Sequence, residues 1–259
     1  MATFLFDEII FGPVNSRRLG VSLGINLLPT DSKFCNFNCV YCECGWTPKK
    51  GQMKSDFHPA DTVISKLEAF LKDYKSQHKT IDTITFAGNG EPTLHPKFFE
   101  IIEETIALRN LYYPKAKVSV LSNATMLHSK KIVEALKKVD NRILKLDSGI
   151  EHTISQMNQP LGHYSIDNLL QQFEQFNGDF ILQTMFLKGM FDGEPIDNTT
   201  EQELEAYLNV VNKMKPKKVM IYTIARDTPA DDLEKVSLSE LNKIADKIRA
   251  LGISVEVSA

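Results

Sequence analysis

The chain has 259 residues, of which 42% are hydrophobic and 24% charged, and this suits one globular domain. Its net charge of −3 and isoelectric point near 6.1 provide no overall positive field, which disfavours autonomous nucleic-acid binding. The first residues do not form a basic and apolar leader, and no apolar run approaches the ~18 residues of a membrane span. We therefore expect a cytoplasmic protein without membrane contact, with residues 1–259 as a single domain and 1–16 as an N-terminal extension.

Strand and helix patterns alternate along the chain. Apolar and β-branched residues predict six strands, at 21–28, 81–87, 117–121, 142–146, 179–186 and 218–224. Each is followed by a segment with helical periodicity, and these segments begin at Pro59, Pro96, near Ile132, and at Ser165, Thr200 and Ser237. Residues 253–257 form a candidate further short strand.

The connection between the fourth strand and its helix differs from the others. From Asp147 to Ser165 the sequence has two glycines, one proline and no helical periodicity. It is longer than the ~12–15 residues of a plain connection. We predict a loop that acts as a lid or contacts substrate, with His152 and His163 as its titratable candidates.

Strict alternation implies parallel strands joined by right-handed crossovers. Eight such units close a barrel, whereas six leave it open. Periodicity alone also allows a flat, doubly wound sheet. In either arrangement sites form at the carboxyl ends of the strands, so the segments that follow each strand should share one rim.

All four cysteines of the chain lie between Cys35 and Cys44. Cys35, Cys39 and Cys42 are spaced by three and then two residues, with Tyr41 before the last. Three thiolates on one loop can hold a soft metal centre, and a cubane iron–sulfur cluster bound by three cysteines keeps one iron open for a substrate or cofactor.

Simpler interpretations explain the cysteines less well. A structural zinc site needs a second pair of ligands, and none follows downstream. A redox dithiol would use Cys39 and Cys42 and leave Cys35 unexplained. Disulfides are disfavoured in a chain without a secretory signal.

The cysteine motif resembles the signature of the radical S-adenosylmethionine (SAM) superfamily. The resemblance extends to Gly12–Gly20, Gly88–Thr93, Leu182–Phe186 and Ile221–Arg226. Together these segments are similar to the stand-alone iron–sulfur proteins related to the tRNA wyosine synthases. The resemblance implies an α/β fold, the partial (β/α)6 TIM-like barrel of the radical SAM core.

The resemblance also implies a set of site residues. Cys35, Cys39 and Cys42 would bind a [4Fe-4S] cluster, and S-adenosylmethionine would bind the fourth iron and be cleaved to a radical that abstracts hydrogen. The candidate cofactor contacts lie beside the cysteines, after predicted strands or, for the last, within one: Tyr41, Gly88, Asn89, Gly90, Glu91, Ser122, Asn123, Asp147 and Gln183. Alternatives remain for several of them, because Tyr41 can simply pack, Glu91 can cap the next helix and Asp147 can form a turn.

Three residues have no assigned place in this scheme. Arg17 and Arg18 precede the first strand, and their guanidinium groups can bind a substrate anion, the cofactor carboxylate or a surface carboxylate. Cys44 can be a packed side chain, a thiol facing the substrate or an adventitious ligand, and we expect the first.

The leading hypothesis is therefore a radical SAM enzyme of oxidoreductase type with an unidentified substrate, tRNA or protein, and a reductant such as flavodoxin or ferredoxin. Activation of a glycyl-radical enzyme is an alternative within this class. Wyosine synthesis itself is doubtful because no further cysteines are available for a second cluster. A non-catalytic iron–sulfur or zinc-binding module is the alternative from another class.

Overall fold

The computed structural model describes residues 4–16, 18–49 and 56–259. The strands are β1 (Ile10–Ser16), β2 (Gly20–Ile25), β3 (Thr83–Phe86), β4 (Lys117–Ser122), β5 (Asn141–Lys145), β6 (Ile181–Met185), β7 (Leu187–Phe191), β8 (Glu194–Asp197), β9 (Lys218–Tyr222), β10 (Leu233–Lys235) and β11 (Ser254–Ser258). The helices are α1 (Ala60–Ser76), α2 (Phe98–Tyr112), α3 (Lys130–Lys138), α4 (Glu151–Met157), α5 (Ile166–Glu174), α6 (Glu201–Met214) and α7 (Leu238–Arg249).

The main sheet has eight strands in the order β1-β2-β3-β4-β5-β6-β9-β11. From β2 onwards every neighbouring pair is parallel, and only β1 is antiparallel to its neighbour. The sheet is curled into a half-barrel, which confirms the predicted fold class and excludes the flat alternative. Residues 253–257 were a candidate strand, and β11 occupies that position beside β9.

The main sheet is buried because it carries apolar side chains on both of its faces. Central strands such as β3 and β6 are buried along their whole length, as expected for parallel strands covered by helices. The helices present one apolar face to them; in α1 this face carries Val63, Leu67 and Leu71. Among the described residues, no helix has both the length and the apolar composition needed to cross a bilayer.

The structure corrects three sequence-based expectations. The predicted loop from Asp147 to Ser165 contains the helix α4, whose buried residues are Thr153, Ile154 and Met157. Only two of these are strongly apolar, so a helix of two turns left no clear periodicity. The N-terminal extension contributes the strand β1 to the main sheet.

The third correction concerns the segment after β6. Strands β7, β8 and β10 form a separate antiparallel sheet that the sequence analysis did not include. Asp192 and Gly193, both with positive φ, connect β7 to β8. Asp-Gly between two strands is a strong hairpin signal, so this part was predictable from sequence.

Thr200 and Glu203, like Ser237 and Glu240, have the spacing of a capping box, but the two pairs behave differently. Ser237 and Glu240 form the reciprocal pair at the start of α7. At α6, Thr200 accepts a hydrogen bond from the backbone N–H of Glu203, but the Glu203 side chain points elsewhere. It is 7% exposed and accepts hydrogen bonds from Ser148 and Thr153, which anchor the start of α4 to α6.

Candidate functional site

The cysteine loop follows β2 and lies between two neighbouring segments. On one side, the backbone of Phe34 exchanges hydrogen bonds with residues 89 and 91, at 2.8 and 3.0 Å. On the other side, Asn38 N–H donates to the Asn158 carbonyl at 2.8 Å, and Val40 N–H donates to the Met157 carbonyl at 2.9 Å. The loop is thus fixed through its backbone by the segment after β3 and by the end of α4.

Cys35, Cys39 and Cys42 line one cavity, with a volume of about 230 Å³. Cys44, Lys33 and Lys145 contribute to the same walls. The predicted site residues that also line it are Tyr41, Gly88, Gly90, Glu91, Ser122, Asn123 and Gln183. Segments distant in sequence therefore meet at one rim, as the parallel order of the strands requires.

The cysteine sulfurs accept hydrogen bonds from fixed donors. The backbone N–H of Phe37 donates to Cys35 Sγ at 3.4 Å, and the Asn158 side-chain amide donates to Cys39 Sγ at 3.4 Å. Burial nevertheless raises the pKa of Cys39, which is 8% exposed. A buried thiolate here needs a compensating positive charge, and metal ligation supplies one.

Lys33 is a buried cation beside the cysteines that sequence analysis did not select. It is 2% exposed, and its ammonium donates to the Gly45 carbonyl at 2.9 Å. Burial opposes its charge, but the neighbouring thiolates of Cys42, Cys39 and Cys35 outweigh that penalty and raise the pKa of Lys33. Lys33 therefore compensates part of the negative charge of the cysteine loop.

Cys44 differs from the other three cysteines in its partners. Its thiol donates to the Gly88 carbonyl at 3.5 Å. A hydrogen bond from Cys44, together with nearby Lys33, lowers the pKa of Cys42 to about 5. The structure therefore places Cys44 as a thiol donor between the cysteine loop and the segment after β3.

The donor set fits a cubane cluster. Within the described ranges, no three Cys, His, Asp or Glu side chains are arranged around a point where one metal ion would bind. A cubane distributes its thiolates over separate irons, so its ligands do not need to converge on a single point. Three cysteine side chains on one cavity, accompanied by polar groups, match such a cluster with one iron open to another ligand.

Glu91 has a defined structural role. It is 2% exposed, and its carboxylate accepts hydrogen bonds from the Asn123 N–H at 2.6 Å and the Ser122 hydroxyl at 2.9 Å. The N–H and hydroxyl of Thr93 donate to the same carboxylate, so Glu91 caps the short 3-10 helix Pro92–Leu94. The four donors favour the charged carboxylate, but burial outweighs them and raises the pKa of Glu91. Its contact with the cofactor stays a prediction.

Gly88 and Gly90 are explained by close packing. Both have positive φ, 145° and 141°. A Cβ on Gly88 would collide with the Asn26 side chain, and one on Gly90 would collide with the Phe34 carbonyl. These glycines therefore let the cysteine loop approach β3, whether or not they also contact a cofactor.

Asn89 and Asp147 lie behind the walls of the cavity. Asn89 is fully buried, and its side chain exchanges hydrogen bonds with the backbone of Phe6 and donates to the Pro29 carbonyl. Asp147 accepts from Tyr41, from Asn158 at 2.7 Å and from the Met185 N–H at 2.9 Å. Their contacts with the cofactor stay predictions.

Asn158 is the main residue that the sequence analysis missed. It is 1% exposed, and its amide contacts Cys39, Tyr41 and Asp147 together. The Tyr41 hydroxyl therefore belongs to this network, and Tyr41 also lines the cavity. A helix-ending asparagine carries no sequence signal for such a role.

The remaining candidates lie apart from the cysteine cavity. His152 and His163 are exposed. Arg18 lines a neighbouring cavity, with its guanidinium 4.9 Å from the centre of the Tyr222 ring. Arg17 lies outside the described residues, so its predicted role is not addressed.

Comparison with known proteins gives consistent results. The family model "Radical SAM superfamily" matches residues 30–174. The chain is 33% identical over 224 residues to a UPF0026 protein of Synechocystis sp., covering 85% of this chain and 77% of that protein. It is 30% identical over 252 residues to a protein of Brachyspira hyodysenteriae named GTPase Obg, covering 96% of this chain and 34% of that protein. The chain thus spans about a third of the latter relative.

Solved structures share the fold at low sequence identity. A radical SAM methyltransferase from Sphaerobacter thermophilus superposes with a TM-score of 0.66 at 14% identity, covering 92% of this chain and 65% of that one. An archaeal TYW1 superposes with a TM-score of 0.52 at 13% identity, covering 88% of this chain and 71% of that one.

Proposed function

Because the chain belongs to the radical SAM superfamily, we propose that it is an enzyme that abstracts hydrogen from an organic substrate. Cys35, Cys39 and Cys42 would hold a [4Fe-4S] cluster whose open iron binds S-adenosylmethionine. When bound, this pair supplies an electron and a 5′-deoxyadenosyl radical. The observation that carries the proposal is the placement of these three cysteines on one cavity with polar groups from four strand ends.

The residues around the cavity would divide the work of cofactor binding. Gly88 and Gly90 expose the backbone that follows β3, and Ser122, Asn123 and Gln183 offer polar atoms at the same cavity. The Tyr41 ring presents an apolar face at the same cavity. These groups suit a ligand with an amino-acid end and a planar heterocycle.

The protein's own share of the reaction is positioning and charge compensation. Lys33 offsets negative charge on the cysteine loop, and the Asn158 network fixes that loop and the orientation of Tyr41. Cys39 is buried, which limits the access of water to this part of the cavity. Such control is what a protein contributes where a cofactor carries the radical chemistry.

Partners are also part of the proposal. A one-electron donor such as flavodoxin or ferredoxin would reduce the cluster, in the cytoplasm. Transfer RNA and glycine-containing protein substrates are both candidates, and oxidation of the substrate would make the enzyme an oxidoreductase.

Product analysis tests the function. The protein is reconstituted anaerobically with iron and sulfide, then given S-adenosylmethionine and dithionite. We expect 5′-deoxyadenosine and methionine from the native protein and from C44A, and neither product from C39A. A native protein with four irons per chain that yields neither product would overturn the proposal. Added tRNA or glycine-containing protein is then scored by the increase in product yield.

A further inference from the structure

A second cavity adjoins the one lined by the cysteines. Its volume is about 370 Å³, and Tyr41 and Tyr222 form part of the wall of both cavities. It lies between β1 and the segment that follows β9. The two cavities meet at these two aromatic side chains. A ligand in the second cavity would therefore lie next to the cysteine cavity.

One part of the wall of this second cavity is aromatic and apolar, and the other part is polar. Phe6 and Phe11 stack with ring centres 3.7 Å apart, and Phe4 packs edge-on against Phe6 at 5.0 Å. Val14, Met185 and Ile224 complete the apolar lining. The aromatic part of the wall suits the flat body of a ligand, and the polar part suits a charged group on it.

Arg18 is the polar group that distinguishes this cavity. Its Nη1 atom is buried and has no hydrogen-bond partner among the described residues. Its guanidinium stands over the ring of Tyr222, at 4.9 Å from the ring centre. Buried donors in native proteins are normally paired, so an unpaired one on a cavity wall indicates a missing partner.

The charges around Arg18 indicate the sign of that partner. Glu43 is the only acidic side chain among the described residues that line the cavity, and it pairs with Arg226 at 2.6 Å. No described side chain forms an ion pair with Arg18. Among the described residues that line the cavity, Arg18 is therefore a positive charge without an ion-pair partner.

We propose that this second cavity binds the substrate, and that the substrate is a small organic anion with a flat body rather than the tRNA or protein named as candidates above. Its carboxylate or phosphate binds Arg18, because a guanidinium donates to such groups through two parallel hydrogen bonds. Because Arg18 stands over Tyr222, the anionic end lies beside Tyr222, whose ring also borders the cysteine cavity, and the flat body lies toward Phe6 and Phe11. This inference rests on the proposed function for the identity of the ligand as substrate.

Calorimetry with model anions tests the site directly. Benzoate, phenyl phosphate and the neutral benzyl alcohol are titrated anaerobically into reconstituted protein. We expect saturable binding of at least one anion and at least tenfold weaker binding of benzyl alcohol. Comparison of the two anions decides between a carboxylate and a phosphate. Saturable binding of neither anion, or equal binding of the alcohol, would overturn the proposal.

Variants locate the anion. R18Q should weaken anion binding at least tenfold. The anion affinity of R18K should lie between those of R18Q and the native protein, because lysine keeps the charge but cannot donate two parallel hydrogen bonds. R249Q, which removes an arginine on the exposed face of α7, should change the anion affinity less than twofold. Equal affinities in R18Q and R249Q would contradict the assignment.

A second pair of variants does not depend on the folding of R18Q. Val14 lines the cavity and is 49% exposed, so substitution there is tolerated. V14E places a negative charge in the cavity and should weaken anion binding at least fivefold relative to V14Q. Formation of 5′-deoxyadenosine by the same preparation tests the proposed function separately. A protein that forms it but binds neither anion contradicts this inference alone.

Discussion

The side-chain amide of Asn158 donates a hydrogen bond to the sulfur of Cys39, at a distance of 3.4 Å. The same amide lies 2.9 Å from the Tyr41 hydroxyl and 2.7 Å from the Asp147 carboxylate. One buried side chain thus links a cysteine, the aromatic residue of the motif and the end of β5. It connects the chemistry of the cysteine loop to the position of α4.

Replacement of Asn158 should weaken both the fold and the cluster. N158A removes the donor to Cys39 and leaves buried acceptors unpaired, at a cost of about 2–3 kcal/mol. N158D should be worse, because it places a carboxylate against Asp147 and Cys39. Urea unfolding and iron content per chain measure the two effects, with N110A on the exposed end of α2 as control. Native iron content and stability in N158D would show that this network is dispensable.

Lys33 should set the reduction potential of the cluster. K33M removes a buried positive charge next to the thiolates. At an effective dielectric constant of about 20, two unit charges about 4 Å apart interact by about 4 kcal/mol, so loss of this charge should lower the potential by on the order of 100 mV. A redox titration followed by electron paramagnetic resonance measures it. K72M, an exposed lysine of α1, is the control, and equal potentials in the two variants would refute the role given to Lys33.

Glu91 should be needed for the local fold independently of any cofactor. In E91Q an amide N–H₂ would face donors that now point at the carboxylate, including those of Ser122 and Asn123. We expect a loss of about 2–4 kcal/mol, measured by urea unfolding without added S-adenosylmethionine. E104Q, on the exposed face of α2, should change stability by less than about 0.5 kcal/mol. If E91Q unfolds like E104Q, the hydrogen bonds to Glu91 do not stabilise this segment.

Asp140 provides a pH-dependent contribution to stability. Burial disfavours the charged form of Asp140. Hydrogen bonds from the Val118 N–H at 2.8 Å and the Arg109 guanidinium at 2.9 Å outweigh this effect and lower the pKa of Asp140. A lowered folded pKa means that the stabilisation is present above the unfolded pKa of about 3.9 and is lost as the pH falls through the folded value.

The variant D140N isolates this contribution. We expect it to cost about 1–2 kcal/mol at pH 7 and progressively less below pH 4, measured by urea unfolding. D246N, which breaks an exposed ion pair with Arg249, should cost less than about 0.5 kcal/mol at either pH. A D140N penalty that does not change between pH 7 and pH 3 would show that its cause is not the charge.

The sequence predicted the main sheet because its strands are continuous apolar runs between helices of clear periodicity. It also predicted that Cys35, Ser122 and Gln183 share one rim, since the carboxyl ends of parallel strands meet there. Asn158 and Lys33 were not predictable, because their roles come from partners distant in the chain and from burial. The helix α4 was missed for the same reason, since its start is held by Glu203 of α6.

The sequence interpretation of Gly88 and Gly90 was incomplete in an instructive way. Their flexibility suggested close approach to a cofactor, whereas the structure places Asn26 and Phe34 against them. A glycine required by a tight protein contact looks the same in a sequence as one required by a ligand. Only the neighbouring atoms distinguish the two causes.

The most direct test of the account is electron paramagnetic resonance of the reduced, reconstituted protein with and without S-adenosylmethionine. Three cysteine ligands leave one iron open, so we predict the signal of a reduced [4Fe-4S] cluster that changes when S-adenosylmethionine is added. C44A should retain both the cluster and this change. A cluster signal that S-adenosylmethionine leaves unaltered, together with loss of the cluster in C44A, would mean that all four cysteines are ligands and would contradict the account.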